Sequence, residues 1–558
     1  MPNVVKPLII QGDRSILLDV HADEAKEARF ALIPFAELEK SPEHLHTYRL
    51  TNLSLWNAAS AGLSADDVMQ TLSSFSRFPV PEAVAVWTAE TISRYGKVKM
   101  RPSDSQNFLR LTVDSDMVFK EFAASKNLKK YLVVEDASKR SFLLKLLDRG
   151  TVKQVLLKQG WPVKDEVPLR DGEPLDICLR DKTLSGNRFT VRDYQQVASE
   201  TFVGDRKAGT GFGTIVLPCG AGKTIVGILI MSLLKTNTLI LAPNVAALYQ
   251  WKRELLDKTN LTDDDIGLYT SEAKIIKPVT IATYQILTWR KSVEEDFKHF
   301  SLFSERSWGL IVYDEVHLLP APVFRITAEL QVIRRLGLTA TLIREDGCES
   351  DVFSLVGPKR FDVPWKELEE KGWIAHAYCT EIRINLNAEK EIDYAVAGNR
   401  QKHRIASENS NKITVVKKLL EKHNDEPVLI IGQYISQLEQ LAKEIEAPLL
   451  TGKTPNFERE VLYNNFRNGS IRILIVSKVA NFAIDLPDAS VAIQISGTFG
   501  SRQEEAQRLG RILRPKERDS HFYTIVTCHS VEEEFAEKRQ KFLAEQGYEY
   551  SIITNMET

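Results

Sequence analysis

Nine short runs of almost unbroken β-branched and aliphatic residues punctuate the chain between residues 213 and 527. No other feature constrains the fold as much. The first five are GTIVLPC (213–219), TLILAP (238–243), VTIAT (279–283), GLIVYDE (309–315) and RRLGLTAT (334–341). The other four are VLIIGQ (428–433), RILIVS (472–477), VAIQIS (491–496) and YTIVT (523–527). Strands that are apolar on both faces have no solvent side, so they belong in parallel sheets covered by helices above and below. Amphipathic stretches of helical period separate the runs. The pattern predicts two consecutive α/β domains, 185–365 and 366–558, joined near VPWKELEEKGW.

The residues ahead of these domains read differently. Residues 1–104 carry mainly helical periodicity, broken by PVP at 79–81, and Ser64 followed by Asp66 and Asp67 marks a helix start. Residues 105–180 combine strand-like FLRLTV (108–113) and YLVVED (131–136) with a helical FLLKLLDRG, which predicts a small α+β module. RDGEP (170–174) is an exposed link into the first α/β domain. A length of 558 residues accommodates three or four such domains, and 43% hydrophobic content supplies their cores.

No run of about 18 apolar residues is present, which excludes a membrane-spanning helix. The first residues, MPNVVKPLIIQGD, hold an apolar run too short for a secretory signal. The five cysteines (Cys178, Cys219, Cys348, Cys379, Cys528) are scattered with no CxxC pair, which argues for a reducing compartment and against a zinc or iron–sulfur site. A cytoplasmic location is expected. The net charge of −2 requires any nucleic-acid contact to come from local basic surface.

Candidate chemistry begins at LPCGAGKT (217–224), between a strand and the helical stretch IVGILIMSLL. In that setting the loop Pro218-Cys219-Gly220-Ala221-Gly222 and the helix start form a cradle for phosphates, the backbone N–H groups of Cys219 through Gly222 supplying the donors. Lys223 would reach the β- and γ-phosphates of ATP, and the Thr224 hydroxyl would hold Mg²⁺. The usual pattern has glycine where this chain has Leu217; Gly220 and Gly222 still permit the tight loop. Asp314 and Glu315 end a strand about 90 residues later. There Asp314 can hold Mg²⁺ through water and Glu315 can polarise an attacking water. In QRLGRILR (507–514), Arg511 and Arg514 share one helix face and can serve as arginine fingers. Each element alone has a plain structural reading. In this order and spacing, the three predict an ATPase of two tandem RecA-like domains.

LPCGAGKT, DEVH (314–317), TAT (339–341) and QRLGRILR form the motif set of superfamily 2 helicases. VRDYQQ (191–196), APNVAALYQWKREL (242–255), SKVANFAIDLP (477–487) and Arg344-Glu345-Asp346 make the chain similar to the xeroderma pigmentosum group B (XPB) helicases, in a prokaryotic form. The motor match spans about 185–535, and TYRLTNLSLWNAASAGL and FPVPEAV resemble that family's N-terminal domain. The resemblance implies that Arg192 and Gln195 read adenine, Gln195 through a bidentate amide contact. It implies that Thr339 and Thr341 link hydrolysis to domain movement, that Asp485 sits at the ribose or the inter-domain cleft, and that Gln507, Arg511 and Arg514 line that cleft. Arg344, Glu345 and Asp346 would form an unwinding element. Residues 105–180 resemble a damage-recognition module, and the family's thumb insertion falls near 387–412, where Arg400, Lys402, His403 and Arg404 cluster.

A translocating motor holds phosphates without reading bases. Asn244, Thr283, Gln433, Thr454 and Lys478, at strand ends or early loops, are the candidate DNA contacts, expected on the sheet edge opposite the nucleotide helices. The resulting expectation is a DNA-dependent ATPase that unwinds with 3′→5′ polarity, a polarity implied by the resemblance alone, working in DNA repair as a monomer or weak oligomer. A duplex translocase, an RNA helicase and an ATP-gated scaffold stay open as alternatives. No nuclease constellation is present, so incision would fall to a partner nuclease.

Overall fold

The computed structural model describes the chain except residues 1–5, 41–43, 106, 208, 219, 290–297, 321–322, 324–326, 328–329, 332, 341–348, 364, 374–375, 478–488, 497–518, 538–549 and 555–558. The chain divides into two compact units. The first comprises 1–37, 47–217 and 222–362, and the second comprises 363–558 with 38–46 and 218–221.

Each unit is built on a seven-stranded parallel sheet. In the first, the strands run from edge to edge as Ile266–Tyr269, Val279–Thr283, Thr238–Ala242, Leu310–Asp314, Arg334–Thr339, Phe212–Val216 and Lys359–Asp362. The strands feeding the phosphate loop and ending in Asp314 are therefore not neighbours. Arg334–Thr339 lies between them, pairing Val216 with Thr339 on one side and Leu338 with Asp314 on the other. The second sheet runs Leu449–Leu450, Ile473–Ser477, Val428–Gly432, Val491–Gln494, Ser520–Thr527, Ala377–Ile384 and Tyr550–Thr554. Residues of Val428–Gly432 and Val491–Gln494 are buried throughout, as two-sided helix cover requires. Both sheets have the RecA-like form that the apolar runs imply.

The amino-terminal residues are less helical than their periodicity suggests. The helices Asn52–Ser60, Ala65–Phe75 and Glu82–Arg94 are present, and Ser64 caps the second through a reciprocal pair with Asp67 (Ser64 Oγ from Asp67 N–H, 3.1 Å; Asp67 Oδ2 from Ser64 N–H, 2.7 Å). They accompany a four-stranded sheet that includes the antiparallel pair Leu8–Ile10 and Ser15–Asp19. Strands of three to five residues carry too little period to register against the longer helices.

The α+β module is a five-stranded sheet ordered Val133–Asp136, Ser141–Lys145, Phe108–Val113, Val98–Pro102 and Val163–Asp165. It therefore begins before residue 105, because Val98–Pro102 pairs antiparallel with Phe108–Val113. FLLK, expected to be helical, is also a strand. Phe142 and Leu144 face Leu111 and Leu109 across the sheet, and the helix starts only at Arg149. Three consecutive apolar residues fit either state, and cross-strand packing decided between them.

This module is tied to the first large sheet by a buried ionic cluster. Asp165 accepts from Arg149 Nη2 (2.8 Å) and Nε (3.0 Å) and from Lys153 Nζ (3.1 Å), while Lys153 also donates to Gln331 Oε1 (2.9 Å). Burial would raise the Asp165 carboxyl, but Arg149 and Lys153 hold it far below the carboxylate range. Burial brings Lys153 down to about 8 against the opposing pull of Asp165.

Candidate nucleotide site

The phosphate loop bends as its glycines allow. Gly220 and Gly222 take φ values of +81° and +79°, a region unfavourable to residues with a Cβ. The helix Lys223–Leu234 follows at once and has no side-chain cap. Its first N–H groups face the loop with the positive end of the helix dipole behind them. Gly222 also lies against Gln195, since a Cβ there would stand 2.5 Å from the Gln195 amide nitrogen.

Four groups converge beside this helix start. Lys223 Nζ lies 3.3 Å from Glu315 Oε1. His317 Nδ1 lies 3.5 Å from Glu315 Oε2 and shares a 2.6 Å hydrogen bond with Thr339 Oγ1. Glu315 follows its strand with φ +49°, a left-handed conformation rare for a residue with a side chain, and this turn carries the carboxylate to Lys223. Its Oε2 is buried without a hydrogen bond. Burial would raise the Glu315 carboxyl, but Lys223 and His317 together hold it below its ordinary value. Asp314 shifts the other way: burial first, then repulsion from Glu315, push it up to about 6.

Two residues of this site were not singled out in the sequence. Trp251 Nε1–H donates to Asp314 Oδ2 (3.0 Å), and the Tyr284 hydroxyl donates to the Asp314 carbonyl (2.8 Å). The available signal was Gly227, a glycine inside an apolar helix. A Cβ there would stand 2.5 Å from the Trp251 ring, so the glycine admits the tryptophan that positions Asp314.

These residues fit a Mg²⁺–nucleoside triphosphate. The glycine loop, the uncapped helix and Lys223 suit phosphates, and the Thr224 hydroxyl, with Asp314 acting through water, would hold the cation. A dication there would lower Asp314 again.

The other expected site residues fare unevenly. Gln195 is buried, and its Oε1 accepts from the Arg192 N–H (3.0 Å), so the carbonyl needed for a bidentate adenine contact is engaged in capping its own helix. Arg192 Nη1 donates to the Tyr194 hydroxyl (3.1 Å). Asn244 caps the helix Val245–Lys258 through Ala247 N–H (2.9 Å), and Thr283 caps Tyr284–Leu287 through Ile286 N–H (3.3 Å). Both follow parallel strands, so they occupy the same carboxyl edge as Gly222 and Asp314 rather than an opposite one. Thr454 Oγ1 accepts from Thr451 N–H (3.0 Å), and Gln433 N–H donates to Ser496 Oγ (2.8 Å).

In the short insertion, residues 388–407 form the helices Ala388–Val396 and Asn399–Ser407. Its basic run is divided: His403 is buried against the Tyr434 hydroxyl (2.8 Å) and Arg404 pairs with Glu408 (2.8 Å). Cys219, Thr341, Arg344, Glu345, Asp346, Lys478, Asp485, Gln507, Arg511 and Arg514 lie outside the described residues.

Family models match three stretches of the chain. Residues 368–558 match the model described as ERCC3/RAD25/XPB C-terminal helicase, and residues 188–344 match that of the type III restriction enzyme, res subunit. A model described as a helicase conserved C-terminal domain matches residues 8–137, ahead of the phosphate loop. The chain is 50% identical to the DNA 3′-5′ helicase XPB of Mycobacterium tuberculosis, covering 98% of this chain and 97% of that one. It is 49% identical to the protein of the same description from Kineococcus radiotolerans, covering 98% and 96%. Among solved structures, the ATP-dependent type ISP restriction-modification enzyme LlaBIII bound to DNA has a TM-score of 0.50 at 16% identity over 66% of this chain and 32% of its own, a likeness of fold alone. At half identity across nearly the whole length of both bacterial relatives, the chain belongs to the XPB helicase family.

Proposed function

We propose that this protein is an ATP-dependent DNA helicase and translocase of 3′→5′ polarity acting in DNA repair. One observation carries the enzymatic part: Lys223, Glu315, His317 and Thr339 form a continuous chain of polar contacts from the start of the phosphate-loop helix to the end of the strand Arg334–Thr339. Bound Mg²⁺–ATP supplies a γ-phosphoryl group open to in-line attack by water. Lys223 would neutralise phosphate charge, Asp314 would hold the cation through its water shell, and Glu315 would orient and polarise the attacking water. His317 and Thr339 then communicate the state of Glu315 to the intervening strand Arg334–Thr339.

The finger role for Arg511 and Arg514, and nucleotide-handling roles for Gln507 and Asp485, rest on the family's motif alone. DNA as the substrate and the polarity rest on the family's bacterial members, whose names state both. A scaffold without catalysis would have no use for a Lys223–Glu315 pair placed beside an uncapped helix. The deciding experiment compares ATP turnover with single-stranded DNA, duplex DNA and RNA, then strand displacement on 3′- and 5′-tailed duplexes. Stimulation by DNA and displacement from 3′ tails support the proposal. Turnover stimulated only by RNA, or displacement from 5′ tails, overturns it.

A further inference from the structure

The second unit carries a cluster that nucleotide chemistry leaves unused. His423 caps the helix Asn411–Lys422, Glu426 follows three residues later, and His521 is the second residue of the strand Ser520–Thr527. One donor atom from each lies within 4.8 Å of the others. They line a cavity of about 380 Å³ shared with Lys422, Asn424, Asp425 and Asp519. The cavity opens at the amino end of the parallel strands, since Glu426 precedes Val428–Gly432 and Asp519 precedes Ser520–Thr527.

We propose that His423, Glu426 and His521 form a binding site for a divalent transition-metal ion, zinc by its ligand chemistry. Two imidazoles and one carboxylate are a borderline donor set that suits Zn²⁺ and leaves a fourth position for water. The scattered cysteines exclude only thiolate sites. Charge agrees: three carboxylates (Asp425, Glu426, Asp519) face one ammonium (Lys422) around the cavity. With metal–ligand bonds of about 2.0–2.2 Å, tetrahedral donors stand roughly 3.4 Å apart. A change of the Glu426 side-chain rotamer and a small shift of the helix end that carries His423 close the present spacing.

The surroundings also hold the imidazoles as ligation requires. His423 Nδ1 now contacts Glu426 Oε1 (2.7 Å), and its Nε2 contacts the Tyr523 hydroxyl (2.9 Å). When a metal takes Nδ1, the ring proton resides on Nε2 and donates to that hydroxyl, the outer hydrogen bond typical of a ligating histidine. The His521 ring stacks on Tyr378 (centroids 5.3 Å apart, 17° between planes), which fixes its orientation. A metal here would tie the end of a helix to a strand nearly a hundred residues further along the chain, a structural staple for the second unit.

The test uses the full chain stripped with EDTA and then supplied with excess Mg²⁺, so that Thr224 and Asp314 do not take up zinc. Calorimetry with ZnCl₂ should show one equivalent bound and a raised melting temperature, and CoCl₂ should give the visible absorption of a low-coordinate nitrogen–oxygen site. His521→Ala and Glu426→Gln should each weaken zinc binding at least tenfold and abolish the cobalt spectrum. Tyr523→Phe should weaken it by about 10–100-fold, the range for outer hydrogen-bond partners. ATP turnover of Glu426→Gln should match the parent. Should His521→Ala fail to fold, Glu426→Gln at the cavity rim decides alone. Absence of zinc uptake by the parent chain, or undiminished uptake in Glu426→Gln, overturns the proposal.

Discussion

His317 Nδ1 and Thr339 Oγ1 share a 2.6 Å hydrogen bond that joins the end of the Asp314 strand to the strand separating it from the phosphate loop. It gives Glu315 a mechanical link to the sheet, because His317 also approaches Glu315 Oε2 at 3.5 Å. Thr339→Val keeps the shape and removes the hydroxyl. It should cost about 1–3 kcal/mol of stability for the unsatisfied buried imidazole. Nucleotide binding should survive while DNA-stimulated turnover falls. Paired titrations of a fluorescent ATP analogue and of ATPase against DNA check this, and equal loss of both would show Thr339 to be only structural.

Lys223→Ala should abolish turnover, because Lys223 is the cation that the loop's sequence places at the phosphates. Glu315→Gln should retain nucleotide and fail to hydrolyse it, since an amide cannot polarise water as a carboxylate does. Trapping of radiolabelled ATP distinguishes the two variants. Normal turnover by Lys223→Ala would remove the assignment of the loop.

Gly222→Ala meets two obstacles, the left-handed φ of +79° and the Gln195 amide nitrogen 2.5 Å from the new methyl. The backbone part alone costs about 1–2 kcal/mol. Adding Gln195→Ala should recover the steric part and leave the backbone part. A double-mutant cycle on nucleotide affinity separates them, and full recovery would show that the backbone bears no strain.

Asp165 is the carboxylate between Arg149 and Lys153 in the buried cluster. Asp165→Asn leaves two buried cations uncompensated and should cost about 3–5 kcal/mol. The folded Asp165 carboxyl titrates below its unfolded counterpart, so its contribution is present above about pH 4 and is lost as pH falls further. Lys153, also depressed, acts at the other end: the unfolded chain holds the extra proton, so stability rises between pH 8 and about 10.5. Urea melts across pH, with and without Asp165→Asn, check both signs.

The triple variant Arg344→Ala/Glu345→Ala/Asp346→Ala should keep most DNA-stimulated ATPase and lose strand separation. Arg511→Ala or Arg514→Ala should instead lower turnover by roughly 10²–10⁵-fold. Measuring ATPase and unwinding on the same preparations distinguishes a strand-separating element from the hydrolytic machinery. Intact unwinding in the triple variant would return it to the status of a solvated turn.

Local chain chemistry by itself determined the two parallel sheets, because residues apolar on both faces admit no other environment. It also determined the phosphate loop, because left-handed glycines followed by a lysine and a helix form a cradle using only adjacent residues. Ser64 announced its helix for the same reason: a cap acts within three residues. What depended on distant partners was settled only in three dimensions. FLLK became a strand because Phe142 and Leu144 found Leu111 and Leu109, and Val98–Pro102 left the amino-terminal residues to pair with the same strand. Trp251 and Tyr284 joined Asp314, and Gln195 closed on Gly222, through contacts between elements far apart in the chain. The His423–Glu426–His521 cluster lies wholly in that second class. Its members belong to a helix end and a strand start that meet because the parallel sheet puts every strand's amino end on one edge.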